Sequence, residues 1–117
     1  MTLQGTQYWP GLTDSILFIE EDSELTPRVV DRLLQSIAQQ SDFGGLKGIV
    51  IGRFQRGSGM NLGILSRIVD TKPALKTIPI IANVDFGHTT PITIFPIGGD
   101  CRINAHKSGA KIEILNH

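Results

Sequence analysis

Leu46-Lys47-Gly48-Ile49-Val50-Ile51-Gly52-Arg53-Phe54 decides the fold of this 117-residue chain. A short, nearly continuous apolar run of this kind suits a strand covered on both faces. Upstream, Thr26 and Pro27 open a helix, Thr26 as the cap and Pro27 at the first helical position. Val29, Val30, Leu33, Leu34, Ile37 and Ala38 recur at helical spacing on one stripe, and Gly44-Gly45 closes the segment. Before that helix, Ser15 to Glu20 is a second apolar run, ending in the acidic loop Glu20-Glu21-Asp22-Ser23-Glu24. Downstream, Gln55 to Met60 is a polar, Gly-rich loop. Asn61 to Thr71 reads as a helix with Leu62, Leu65, Ile68 and Val69 on one side, stopped by Pro73. Ile78 to Val84 is a third apolar strand, leading into Asp85-Phe86-Gly87-His88. Ile92–Ile97, Cys101–Ala105 and Ala110–Leu115 then read as further strands, separated by Gly98-Gly99 and Ser108-Gly109. The order β-α-β-α-β predicts an α/β domain, mainly parallel sheet with two main helices, and the β-rich C-terminal tail predicts antiparallel hairpins. Residues 1–13 read as a lead-in or linker, and residues 14–117 as the domain.

The bulk properties exclude several classes of function. With 40 % hydrophobic and 19 % charged residues the chain has enough apolar side chains for a core, which argues against disorder. Eleven basic and eleven acidic residues cancel, and the basic ones are scattered, so neither nucleic acid nor an anionic membrane is drawn by charge. Cys101 stands alone, which rules out an internal disulfide and a cysteine-based zinc site, and it reads as a small, partly buried strand residue. No apolar run approaches the roughly 20 residues of a membrane span, and no signal peptide is visible at the start, so a cytoplasmic setting is expected.

Two residues are placed where chemistry gathers. Glu20 ends the first strand and His88 follows the third, and open parallel sheets collect functional groups beyond the carboxyl ends of their strands. If those two strands are neighbours, a carboxylate and an imidazole meet there. The carboxylate would fix the imidazole tautomer and the imidazole would serve as general base. Gly87 would let the backbone turn sharply and expose the ring. A solvated glutamate and a structural histidine fit the same spacing. His106 and His117 are given no role. The pair needs a nucleophile, and none of the seven serines lies in a Gly-x-Ser-x-Gly elbow. Ser108-Gly109-Ala110-Lys111 matches Ser-x-x-Lys by letters, but in a hairpin turn. There is no His-Glu-x-x-His and no close ligand cluster, so neither a metal nor a cofactor is called for. Arg53 to Gly63, a Gly-rich loop between strand and helix, is the rival site. It could cradle a phosphate on backbone N–H groups, making the chain a non-catalytic binding or assembly module. Its glycines at 57, 59 and 63 do not fit G-x-G-x-x-G.

Four stretches in order resemble one family, the LD-carboxypeptidases with the related microcin C immunity proteins. They are Gly5-Thr6-Gln7-Tyr8-Trp9-Pro10, Ile16-Leu17-Phe18-Ile19-Glu20-Glu21-Asp22-Ser23-Glu24, Gly48-Ile49-Val50-Ile51-Gly52-Arg53-Phe54, and Asp85-Phe86-Gly87-His88-Thr89-Thr90-Pro91 with Pro96-Ile97-Gly98. The likeness is to the family's C-terminal domain from end to end. It implies a swivelling β/β/α fold and a Ser–Glu–His triad split between two domains. Glu20 takes the glutamate's place, Glu21 being the adjacent alternative, and His88 the histidine's. The serine and oxyanion donors belong to an N-terminal domain with no counterpart here, so this half is expected to be inactive alone. The implied reaction is metal-free hydrolysis of an amide, either of a murein LD-peptide in peptidoglycan recycling or of a microcin C-like peptidyl-nucleotide. The Glu-Glu-Asp-Ser-Glu run resembles the immunity type slightly more. The face turned to the missing domain is expected to be apolar, and a homodimer is one way to cover it.

Overall fold

The computed structural model describes residues 3–116; Met1 and Thr2 of the lead-in and His117 lie outside the described residues. Three parallel strands, β1 (Ile16–Ile19), β2 (Gly48–Gly52) and β3 (Ile80–Val84), lie side by side in chain order, with β2 in the centre. The connections are helical, α1 (Pro27–Ala38) and α2 (Leu62–Asp70). An antiparallel hairpin, β4 (Asp100–His106) and β5 (Gly109–Asn116), follows.

Every residue of β2 is buried, as its unbroken apolar run requires. Alternate residues along the sheet feed two different layers. Ile49 and Ile51, with Leu17, Ile19, Ile80 and Ala82, join Val30, Leu34, Ile37, Leu65 and Leu75 in one core. Both helices therefore cover the same face, the arrangement that lets successive crossovers step β1, β2, β3 in order. On the opposite face the Phe18 ring packs at a tilt against Phe86 and Phe95 at centroid distances of 5.6 and 4.6 Å. The hairpin lies over this face: Ile103 Cδ1 is 3.5 Å from where a Cβ on Gly48 would sit. The molecule is thus an α/β domain of three layers, hairpin on sheet on helices. No helix among the described residues is long and apolar enough to cross a membrane.

Local details depart from the sequence expectations at four places. Thr26 is the residue before α1, but its side chain makes no capping bond; its carbonyl accepts from Val29 N at 2.9 Å and Val30 N at 3.1 Å instead. The helix stops at Ala38, and Gly44-Gly45 lies in a separate 3-10 turn held by buried Phe43. The third strand begins at Ile80, not Ile78, because Pro79 has no N–H for the ladder and offers only its carbonyl, to Ile49 N at 3.0 Å. Ile92–Ile97, expected as a strand, is irregular. Pro96 removes a donor, Phe95 turns inward to the aromatic cluster, and Ile94 and Ile97 are 94 % and 98 % exposed. At the other end Leu12 lies in the core at 1 % exposure and Trp9 packs against it. Leu12 N also donates to Asp42 Oδ2 at 2.7 Å, which ties residues 9–12 to the domain.

Candidate active site

Glu20 immediately follows β1, and His88 comes four residues after β3 ends. These strands are not neighbours, contrary to the condition on which the sequence reading rested, because β2 separates them. Two strand spacings are about 10 Å, too far for the two side chains to meet across parallel strand ends. They meet nonetheless: His88 Nδ1 lies 2.7 Å from Glu20 Oε2.

The segment after β3 makes this possible by crossing the end of β2. The crossing starts with a register shift, in which Val50 pairs with Ile81 but Gly52 pairs with Val84. One extra residue on β3 is accommodated as a bulge, with Asn83 in the left-handed region at φ +66°. Asparagine tolerates that region better than other side-chain-bearing residues. The chain then tightens, Phe86 N donating to Val84 O at 2.8 Å, and the buried Phe86 ring locks edge-on against Phe95. Its backbone passes directly over Gly52, where a Cβ would come within 2.7 Å of Phe86 O. Gly87 turns at φ +93°, and a Cβ there would lie 2.8 Å from Glu20 Cβ. Gly52 and Gly87 are therefore each small because the backbone must pass, and both are required for His88 to reach Glu20.

The pair is accessible. The His88 side chain is 56 % exposed and that of Glu20 40 %. An ionised carboxylate only accepts, so the proton of the contact belongs to Nδ1, which leaves Nε2 as the ring's acceptor. Beside the pair, Arg53 at the end of β2 forms an ion pair with Asp85. The Thr90–Pro91 peptide bond is cis, and Thr93 N closes the loop onto Asp85 O at 2.6 Å. Behind the loop, between sheet and hairpin, a cavity of about 360 Å³ is lined by Phe18, Ile81, Phe86, Phe95, Ile112 and Ile114, among others. Glu21 is not in contact with His88 by any hydrogen bond described. Gly52, Asn83, Arg53 and Asp85 shape the site although the sequence reading gave none of them a role in it. Gly52, Arg53 and Asp85 do fall within the stretches that carry the family resemblance, and Asn83 carried no signal.

The rival Gly-rich loop is a closed turn. Gly59 adopts φ +71°, Ser58 is buried, and Ser58 Oγ donates to Gln55 O at 2.8 Å and accepts from Met60 N at 3.2 Å. Asn61 Oδ1 accepts from Ile64 N at 2.9 Å and so caps α2. Two of the N–H groups that a phosphate would use are engaged by the loop's own side chains. Ser108 lies in the two-residue turn of the hairpin, as expected. Among the described residues no group of three or more His, Cys, Asp or Glu side chains could hold a metal ion. Cys101 is half-buried on β4, and burial, then the neighbouring Asp100 charge, raises its thiol above the ordinary value.

A three-layer domain that brings a carboxylate and an exposed imidazole together beyond the strand ends defines a class, and comparison with known proteins gives the family. The chain belongs to the LD-carboxypeptidase family: the LD-carboxypeptidase C-terminal domain matches residues 1–103. A protein of Treponema pallidum (strain Nichols), provisionally named a carboxypeptidase, is 46 % identical over 112 residues, covering 96 % of this chain and 33 % of its own length. YocD of Bacillus subtilis (strain 168), likewise provisionally named, is 44 % identical over 115 residues, 98 % of this chain and 35 % of its own. The crystal structure of an MccF-like protein from Bacillus anthracis str. Ames superposes with a TM-score of 0.93 at 48 % identity, covering 99 % of this chain and 36 % of that one. A muramoyltetrapeptide carboxypeptidase from Oxalobacter formigenes shares the fold, with a TM-score of 0.80 at 23 % identity over 99 % of this chain and 41 % of its own. The chain thus spans about a third of the length of the curated relatives it matches.

Proposed function

We propose that this domain supplies the glutamate and histidine of a Ser–Glu–His triad that hydrolyses an amide bond. The observation that carries the reading is the 2.7 Å contact between Glu20 Oε2 and Nδ1 of an exposed His88 ring. In this scheme the serine comes from an N-terminal domain, and relatives about three times as long support that division. His88 Nε2 takes the serine proton as its oxygen attacks the carbonyl carbon. Glu20 stabilises the resulting imidazolium. His88 then gives the proton to the leaving amine, and water, activated by the same nitrogen, releases the acyl group. The substrate is a murein LD-peptide or a microcin C-like peptidyl-nucleotide. The 48 % identity with the MccF-like protein supports the second, and the 46 % and 44 % identities with the two relatives named as carboxypeptidases support the first. The enzyme acts in the cytoplasm. Exposed Ile92, Ile94, Ile97, Ile114 and Leu115 support association through the hairpin side, as a homodimer.

The test is hydrolysis of a tetrapeptide ending in a D-amino acid, and of a peptidyl-adenylate, by this chain alone and joined to an N-terminal domain carrying the serine. Cleavage is expected only from the joined form. His88→Ala should lower kcat about 10³–10⁴-fold, and Glu20→Gln by a comparable order. Full activity in His88→Ala would overturn the proposal.

A further inference from the structure

Glu20 is set by a regular strand, whereas His88 hangs from an irregular crossing, so something must hold the crossing. The last residue before His88 whose side chain makes a polar contact is Asp85, and buried Phe86 after it is held only by its ring and its backbone. The Asp85 carbonyl accepts from Thr93 N at 2.6 Å, and its carboxylate meets Arg53 Nη2. Arg53 in turn directly follows β2 and is tied to the end of β3, its N–H donating to Val84 O at 3.2 Å. Only Phe86 and Gly87 lie between Asp85 and His88, and Gly87 is the residue with most backbone freedom. We infer that Arg53 is a positioning residue for His88, acting through Asp85; this deepens the Glu–His reading and rests on it.

The alternative, that the ion pair merely stabilises the fold, predicts a loss of stability with no change at the His88 ring. The two side chains are 34 % and 38 % exposed overall, although the Asp85 Oδ1 that meets Arg53 is itself buried, so some stabilisation accompanies the positioning role. Geometry is a different matter, since a catalytic group displaced by about 1 Å can cost about 100-fold in rate. Arg53 connects the centre of the sheet to the one segment that has to cross it. Its loss frees the Asp85 side chain while Phe86 stays in the aromatic cluster. The crossing then keeps its apolar anchor and loses its polar one.

Long-range ¹H–¹⁵N correlation of the His88 ring reads the result directly in this chain, because the nitrogen shifts report which ring nitrogen carries the proton. The wild type should show the Nδ1–H form held by Glu20. Glu20→Ala should give a mixed pattern. Arg53→Met should move the spectrum toward that of Glu20→Ala with the remaining amide dispersion intact, and Arg53→Lys, which keeps the charge, should restore most of the wild-type pattern. Asp85→Asn is the second route and should act as Arg53→Met does; if Arg53→Met does not fold, this variant decides. A wild-type His88 pattern in a folded Arg53→Met or Asp85→Asn protein overturns the positioning role while the Glu–His pair stands, provided Glu20→Ala does change the pattern. An unchanged pattern in Glu20→Ala sinks the pair itself, and the positioning role with it.

Discussion

The two faces of the three-stranded sheet are finished differently. On the helix face Ile49 and Ile51 meet Val30, Leu34, Ile37, Leu65 and Leu75 in a core of buried residues. On the hairpin face three phenylalanines cluster beside a cavity of about 360 Å³, and isoleucines 94 and 97 stand almost wholly in solvent. The helix face is the more closely packed of the two. The hairpin face carries the bulge at Asn83, the crossing at Phe86–Gly87 and the exposed His88. One layer of backbone separates the two faces, and the larger open space, about 360 Å³, lies on the hairpin face, against about 20 Å³ among Ile19, Val30, Leu34, Ile37 and Ile51 on the helix face.

Substitution on each face breaks or confirms that contrast, and the largest effect is expected on the helix face. Ile49→Ala removes a side chain that is fully buried at the centre of β2. It should cost about 2–5 kcal/mol in chemical denaturation. Ile94→Ser, on the hairpin side, should change stability by less than about 0.5 kcal/mol. Equal losses in the two variants would show that Ile94 is covered in solution and that the faces are not distinct.

Glycine variants sharpen the contrast between strain and geometry. Gly59 and Gly87 have similar positive φ, +71° and +93°, but nothing lies within 4 Å of a Cβ on Gly59, whereas one on Gly87 strikes Glu20. Alanine at either should cost on the order of 1–3 kcal/mol for the backbone conformation. Only Gly87→Ala should also part Glu20 from His88, seen as loss of the Nδ1–H pattern of the ring. An undisturbed ring in Gly87→Ala would show that the crossing has another path to Glu20.

The same division explains what could be read from the sequence. The helix face was legible because its signals are periodic: the α1 stripe from Val29 to Ala38, the unbroken run of β2, and Pro73 after α2 all report local geometry directly. Glu20 and His88 were legible by position at strand ends and by the family resemblance. The crossing that joins them was not. Strand order is a non-local property, and nothing in Ile16–Ile19 or Ile80–Val84 shows that β2 lies between them. Arg53 and Asp85 are 32 residues apart and pair only after the bulge has moved Asp85 into place. Ile92–Ile97 misled for the opposite reason. Its apolar letters read as a strand, but its isoleucines face outward and only Phe95 packs.

The smallest effect should come from the outermost layer, in the hairpin. There Lys111 Nζ lies 2.6 Å from Glu113 Oε1, and Arg102 approaches the same carboxylate at 3.9 Å. The hydrogen bond from Lys111 and then its charge hold the Glu113 carboxyl below its ordinary value; desolvation opposes them, and Arg102 adds the smallest lowering. A carboxyl lowered in the folded state stabilises above its unfolded value and stops doing so as pH falls through the folded one. Carbon-detected titration of Glu113 should therefore move upward in Lys111→Ala, and the unfolding midpoints of the two proteins should converge in acid. Salt should shrink the difference, because the interaction lies within reach of mobile ions. Identical Glu113 titrations would remove the Lys111 contact. If instead the titration moves while stability at neutral pH barely changes, the hairpin's charges act locally and the core beneath β2 carries the fold.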